Sequence, residues 1–517
     1  MGAHLTQNAA LLVNTSGQIS ITKPGMYVIA QGWTAVLSSS NKAAICIGAS
    51  NVSLDLNGKS LTLSTTSHTP VAAGIELAPG VTDITITNGT INGASTYASM
   101  PVGITGIDNT RVKLSKLAIV GCDEAGISFS FSKHISIKFT SVLHTINTNG
   151  SAAGIKLSNC QNVTIKSSSC KKTQGGFTST DFAAGIYANA CNHCTFEEVN
   201  TSKNKSTYAS AYGVFLQQCT DVVCTKVHAN ANVSKNATST AAGFLLVNTD
   251  ASSFIKCHAN DNTSTTTGYA RGFVITNATQ TLLRKCVANN NTAPWGTSIG
   301  FENDSSKYTA IRSCKAQSNQ GNSEGYGFLS STGNGTQIFK SRAIGNTTKD
   351  GIAGGIKFLN ETQGAILYCE LLANNATLGT AFGIGLFQEC FSSRISHNFL
   401  SKNRGPIQYG FYDESTYFTS FVRGNIAAEH GLTLSNNHQL LNNTATNYYI
   451  PSFRGNSSNL VQEAQTISAL NVRNQIINIS VNSPRSTNLC CKKLLTRSPA
   501  FLHFDSTDLW IPAQGDL

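Results

Sequence analysis

Short runs in which apolar and polar residues alternate recur through most of the chain, and many of them open on a glycine. Gly154, Gly185, Gly213, Gly243, Gly272, Gly300, Gly327, Gly355, Gly383 and Gly410 each start such a run, at intervals of 27 to 31 residues. Upstream, Gly74, Gly103 and Gly126 continue the series with gaps of 29, 23 and 28. Self-similarity at a fixed period of this size marks a repeat architecture, in which each unit buries its apolar face against its neighbours. The array is expected from about residue 41 to about residue 431.

Within one period the alternation predicts short strands with one buried face. One and three residues after the glycine stand pairs such as Val214 and Leu216, Phe244 and Leu246, and Ile356 and Phe358. A second strand is marked nine and eleven residues on by Val163 and Ile165 or Val222 and Cys224. A third, fourteen and sixteen on, carries smaller side chains: Val227 and Ala229, Cys257 and Ala259, Cys286 and Ala288. Nineteen residues after the glycine comes an asparagine in seven successive periods: Asn204, Asn232, Asn262, Asn291, Asn319, Asn346 and Asn374. Asn tolerates left-handed backbone at a corner, and its amide both donates and accepts, so stacked copies would hydrogen-bond along the axis.

These residues carry a resemblance. The coil pattern G-I-x-L-x-x-C-x-x-V-x-I at Gly154 to Ile165 resembles the right-handed parallel β-helix proteins of the pectate-lyase-like superfamily. So do the runs Asn51-Val52-Ser53-Leu54-Asp55-Leu56-Asn57-Gly58 and Lys23-Pro24-Gly25-Met26-Tyr27-Val28-Ile29. The resemblance implies an all-β solenoid, three strands per coil, of roughly thirteen coils stacked at about 4.8 Å. Residues 1–40 are expected to form an N-terminal cap, 41–431 the β-helix and 432–517 a C-terminal cap or docking tail. The tail breaks the period, holds Pro451, Pro484 and Pro499, and ends in an apolar group around Phe501, Phe504 and Trp510.

Composition supports strands and turns over helices, with 44 glycines and only 12 % charged residues. The formal net charge of +11 favours anionic partners, yet no run of five basic residues exists, which disfavours nucleic acid. No transmembrane stretch exists, and the early apolar run Ala9 to Val13 falls short of the roughly 7–15 residues of a signal-peptide core. The family resemblance implies a secreted or surface protein, while the missing signal leaves a cytoplasmic location open. Ten of the 15 cysteines fall on repeat columns, among them Cys160, Cys191 and Cys219, and they read as interior thiols. Cys191, His193 and Cys194 lack the second pair that a zinc site needs.

Function is argued from sites, because this superfamily includes lyases, hydrolases, epimerases, tailspikes and adhesins. Of the hydrolase motifs only Asn248-Thr249-Asp250 is present, without the D-D pair, G-H-G or R-I-K that accompany it. Glu302 and Asp304 are the one acid pair two apart on the outward parity of the first strand, with Cα atoms roughly 6.6 Å apart, so they are the candidate catalytic or cation-binding carboxylates. Glu302 is expected between Val274 and Leu329 on neighbouring coils, with Lys357 one coil further and Arg271 approaching from the side. Tyr187, Phe215, Phe387 and Tyr412 are outward rings suited to stacking on sugars. No cofactor is evident, and calcium is expected only for a lyase. Two function classes stand: a non-catalytic β-helix that binds polysaccharide or another macromolecule along one face, and a polysaccharide lyase or hydrolase.

Overall fold

The structure is a computed structural model that describes residues 10–12, 18–37, 43–65, 73–93, 100–176, 178–414, 421–423, 425–433, 439–441 and 444–449. The apolar group at Phe501, Phe504 and Trp510 and the pair Cys490 and Cys491 lie outside the described residues. Every regular element among the described residues is a strand. In the coil of Gly213 the first strand is Ser210–Gln217, the second Thr220–Thr225, and the third is held by bridges at His228. The next coil repeats the path with Thr240–Val247 and Ser253–Ile255. Equivalent strands pair in parallel and in register, Val214 with Phe244 and Leu216 with Leu246. The chain is therefore a right-handed parallel β-helix of about thirteen turns. A further strand of two residues follows the corner after the third strand in eight coils, from Gln174–Gly175, which follows Thr173, to Asn375–Ala376, and in the last seven of them it follows the asparagine. Paired strands also run beyond 41–431, with Ile19–Ile21 upstream and Thr444–Tyr449 downstream.

Stacking at one coil rise explains the interior. Phe244, Phe273, Phe301 and Phe328 occupy one inward column, with successive ring centroids 4.6, 4.9 and 5.0 Å apart and nearly parallel planes. Burying each such ring stabilises by roughly 2 kcal/mol relative to exposure. The repeated glycine is set by close approach. A Cβ on Gly243 would lie 2.5 Å from Ala259 Cβ and 2.9 Å from the carbonyl oxygen of Gly272, the same glycine one coil on.

The asparagines form the expected ladder. Nδ2 of Asn204, Asn232, Asn262 and Asn291 each donates to Oδ1 of the next, at 2.8 to 2.9 Å. The chain of amides runs on through Asn319, Asn346 and Asn374 to Asn403, which restores the column after one inserted residue. Each Oδ1 also accepts from the backbone N of the preceding rung, as Asn291 does from Asn262 at 3.1 Å. The left-handed residue of this corner is the one before the asparagine: Ala231, Asp261, Asn290 and Ser318 have φ of 54, 58, 55 and 54°. The asparagine is thus selected for its amide and not for its φ.

Of the thirteen described cysteines, twelve are buried thiols. Cys160, Cys191 and Cys219 stack as the repeat requires, with Cys160 N donating to Cys191 Sγ at 3.4 Å. Burial pushes the Cys369 thiol up to about 12 and that of Cys390 up to about 11. Interior thiols with such values are inert packing groups.

Candidate functional site

The first strand positions its outward side chains through an irregularity at the repeated glycine. Both that glycine and the residue after it face the interior: a Cβ on Gly243 would meet the third strand at Ala259, and Phe244 lies in the core. Alternation is reset there, so the residue before the glycine joins the outer face. Two axial columns result. One contains Tyr187, Phe215, Leu245, Val274, Glu302, Leu329, Lys357, Gly385 and Tyr412 in unbroken register. The other contains Tyr212, Ala242, Arg271, Ile299, Tyr326, Gly354, Phe382 and Tyr409.

Glu302 stands between Val274 and Leu329 as expected. Its Oε2 lies 2.6 Å from Nε of Arg271, and the side chains are 11 % and 17 % exposed. Neither atom has a partner in hydrogen-bond alignment, so the contact is ionic. Burial raises the Glu302 carboxyl above the usual carboxylate range; Arg271 opposes that rise, and Asp304 and Glu324 add to it. The Arg271 guanidinium in turn sits 4.1 Å from the centroid of the Tyr269 ring. Asp304 lies half-buried two residues on and accepts from Ser305 Oγ at 3.2 Å.

Lys357 is on the predicted column but serves a different acid. Its Nζ is 3.3 Å from Glu324 Oε1 and donates to Tyr326 Oη at 3.0 Å. The same ammonium packs over the rings of Tyr326 and Phe387, at 4.9 and 5.0 Å. The structure therefore joins Arg271 to Glu302 and keeps Lys357 apart from them.

The four predicted rings fall into two clusters at either end of the ion pairs. Tyr187 and Phe215, 5.1 Å apart, pack with Phe182 and Tyr212. Phe387 and Tyr412, 5.4 Å apart, pack with Phe382 and Tyr409. Gly385 and Gly354 make room for the second cluster, since a Cβ on Gly385 would lie 2.5 Å from the Phe387 ring and one on Gly354 2.3 Å from that of Phe382. Tyr212, Tyr326 and Phe382 are buried beneath the others, while Tyr187, Phe215, Phe387 and Tyr412 are half-exposed. Simple alternation from the glycine assigns the buried rings to the core. The reset at the glycine is the signal that would have found them.

Among the described residues no group of three His, Cys, Asp or Glu side chains is placed to hold a metal ion. Cys191 and Cys194 point into the core, whereas His193 is exposed and lies 3.5 Å from Asp221. With Glu302 committed to Arg271, the pair Glu302 and Asp304 does not fit calcium. Asn248-Thr249-Asp250 is an ordinary corner, with Asn248 left-handed and Thr249 buried.

A second buried carboxyl lies inside the solenoid. Glu361 accepts from Ser330 Oγ and from the Thr336 backbone N at 3.0 Å, in a network that reaches Asn303 and Thr309. Burial raises its carboxyl despite these donors. The unfolded chain then loses its proton first, so this group's contribution to stability is full below the unfolded value of about 4.3 and is lost as pH rises through the folded value. Glu361→Gln is expected to melt higher than the parent at pH 8 and to lose that advantage at pH 4. A difference in Tm that does not vary with pH would contradict it.

No family model and no curated protein matches the chain. Solved structures similar to it include the A-module of an Azotobacter vinelandii mannuronan C-5 epimerase, 11 % identical, covering 82 % of this chain and 92 % of that one with a TM-score of 0.36. A surface adhesin of Streptococcus pneumoniae is 12 % identical over 75 % of this chain and 92 % of its own, with a TM-score of 0.38. A tailspike protein of an E. coli bacteriophage is 10 % identical over 82 % and 64 %, with a TM-score of 0.30. At these values the likenesses carry no argument about what this chain does. Among the described residues no helix is long and apolar enough to cross a membrane.

Proposed function

We propose that the chain binds an extended neutral polysaccharide along the outer face of its first strands, and that it does so without cleaving it. One observation carries the reading: two partly exposed aromatic clusters lie on one face, with Tyr187, Phe215 and Tyr412 in one axial row and Phe387 on the column beside it, separated by ion pairs that leave the face between them close to neutral. Aromatic faces give sugar rings a flat apolar surface, and the polar atoms between them meet hydroxyl groups. The cations of this face, Arg271 and Lys357, are already paired with Glu302 and Glu324, so a polyuronate finds no free counter-charge there. In this reading the protein works outside the cell or at its surface, where polysaccharide is met.

Affinity electrophoresis against neutral glucans, xylans, mannans and galactans, and against polygalacturonate with and without calcium, tests it. Retention by at least one neutral polymer is expected. Free migration through all of them would sink the proposal.

A lyase or hydrolase is the second reading, favoured by the raised carboxyl of Glu302 beside an arginine on that face. There Glu302 would donate a proton to a glycosidic oxygen. If the same panel reveals turnover, Glu302→Gln with Asp304→Asn is expected to abolish it, and parent-level turnover in the double variant would place the chemistry elsewhere.

A further inference from the structure

The excess positive charge is dispersed along the sequence, but the coil period gathers part of it on one corner. Between the second and third strands, Lys226, Lys256, Lys285 and Lys340 hold the same left-handed corner position, with φ of 53, 54, 57 and 48°. The backbone N of Lys256 donates to the Arg284 carbonyl on the next coil, and that of Lys285 to Arg312. Beside the corner, Arg284 pairs in register with Arg312 on the second strand, and Lys315 with Arg342 on the third.

Two of these cations are neutralised, Lys226 by Glu198 at 3.0 Å and Arg342 by Glu370 at 2.6 Å. Among the described residues, Lys256, Arg284, Lys285, Arg312, Lys315 and Lys340 form no ion pair with a carboxylate. All but the half-buried Lys315 are exposed. Left-handed backbone favours Gly and Asn and costs other residues roughly 1–2 kcal/mol, so the corner geometry does not account for lysine there. One coil beyond Lys340 the strip meets Tyr368, which is 51 % exposed and stacks on His397 at 5.0 Å.

We infer that this corner is an anion-binding strip for a polysulfated polysaccharide, on a face separate from the aromatic row. The strip follows the solenoid axis because its residues stack coil upon coil, and from Lys256 to Lys340 it spans three coil rises, about 14 Å. The coils of Gly272 and Gly300 each present two unpaired cations, Arg284 with Lys285 and Arg312 with Lys315. A sugar ring with its linkage covers about one coil rise. A chain with one carboxylate per ring therefore leaves half of these charges unmatched, and one with two sulfates per ring matches them. Duplex nucleic acid fits less well, because phosphates about 3.4 Å apart on each strand do not match cations repeated once per coil rise. Tyr368 offers the terminal ring a stacking face.

The test titrates the full chain with dextran sulfate, polygalacturonate and dextran of equal length, with a 20-base-pair duplex and phosphatidylserine vesicles as further arms, at two salt concentrations. The inference expects dextran sulfate to bind at least tenfold tighter than any other probe, with affinity falling as salt rises. Lys256→Gln with Lys285→Gln and Lys340→Gln is expected to weaken it tenfold or more and to flatten the salt dependence. Arg284→Gln with Arg312→Gln should do the same from a strand position, which covers failure of the corner variant to fold. Phe387→Ala with Tyr412→Ala should leave dextran sulfate binding unchanged, so loss of the neutral-glycan reading and loss of this one are separable. Binding unaltered by both charge variants, tighter binding of duplex or vesicles, or no binding by the parent each overturns it.

Discussion

Replacing Asn291 by Leu is expected to lower stability by about 3 kcal/mol, read as a drop in Tm and in the denaturant midpoint with an unchanged slope. Asn291 is buried, donates to Asn319 Oδ1 at 2.8 Å, and accepts from both the backbone N and Nδ2 of Asn262. The substitution strands two donors on one side and removes a donor from the amide on the other, where no water reaches them. Each buried unsatisfied group costs about 1–3 kcal/mol, and the leucine must also fit a packed corner. Asn291→Asp keeps the size and the acceptor, and at low pH its protonated carboxyl donates through one O–H where the amide has two N–H, so it should fall between the parent and the leucine variant there. A leucine variant that melts with the parent would mean that the amide column is incidental to the stack.

Arg271→Met should be nearly as damaging at neutral pH, by about 2–4 kcal/mol, because it leaves the Glu302 carboxylate buried without its counter-charge. Arg271 is the influence that holds the Glu302 carboxyl down, so removing it lifts the folded value further. The stability tied to this carboxyl is present below the unfolded value of about 4.3 and is lost as pH rises through the folded one. The variant should therefore approach the parent at pH 4 and fall away toward pH 8. Adding Glu302→Gln should restore most of the loss at pH 8, as expected when a buried pair is removed whole. A loss independent of pH, or one that the second substitution does not relieve, would show that Arg271 acts through packing alone.

Fold was legible because its cause is periodic. The glycine, the inward pairs such as Phe244 and Leu246, and the asparagine at nineteen follow from one coil pressing on the next, and each such constraint recurs at a fixed interval. The register was legible for the same reason, as the neighbours Val274 and Leu329 of Glu302 demonstrate. Side-chain partners were legible only in part: the approach of Arg271 to Glu302 was expected, and the turn of Lys357 to Glu324 was not. Arg271 reaches Glu302 only because both inward positions at the glycine reset the alternation, and Lys357 turns to Glu324 because Tyr326 lies beside it on the reset column. Along the chain Lys285 stands one period after Lys256 and Lys340 two periods after Lys285, and only along the axis do the three share a corner.

The most direct test of the neutral-glycan reading is the affinity of the retained neutral oligosaccharide for the parent and for two paired variants. These are Tyr187→Ala with Phe215→Ala and Phe387→Ala with Tyr412→Ala, measured by calorimetric titration alongside their melting temperatures. A sugar lying along the row needs a ring cluster at each end, so each pair should weaken binding at least tenfold while circular dichroism keeps the strand signature. Parent-level affinity in both folded variants would contradict the account and place the ligand on another face of the solenoid.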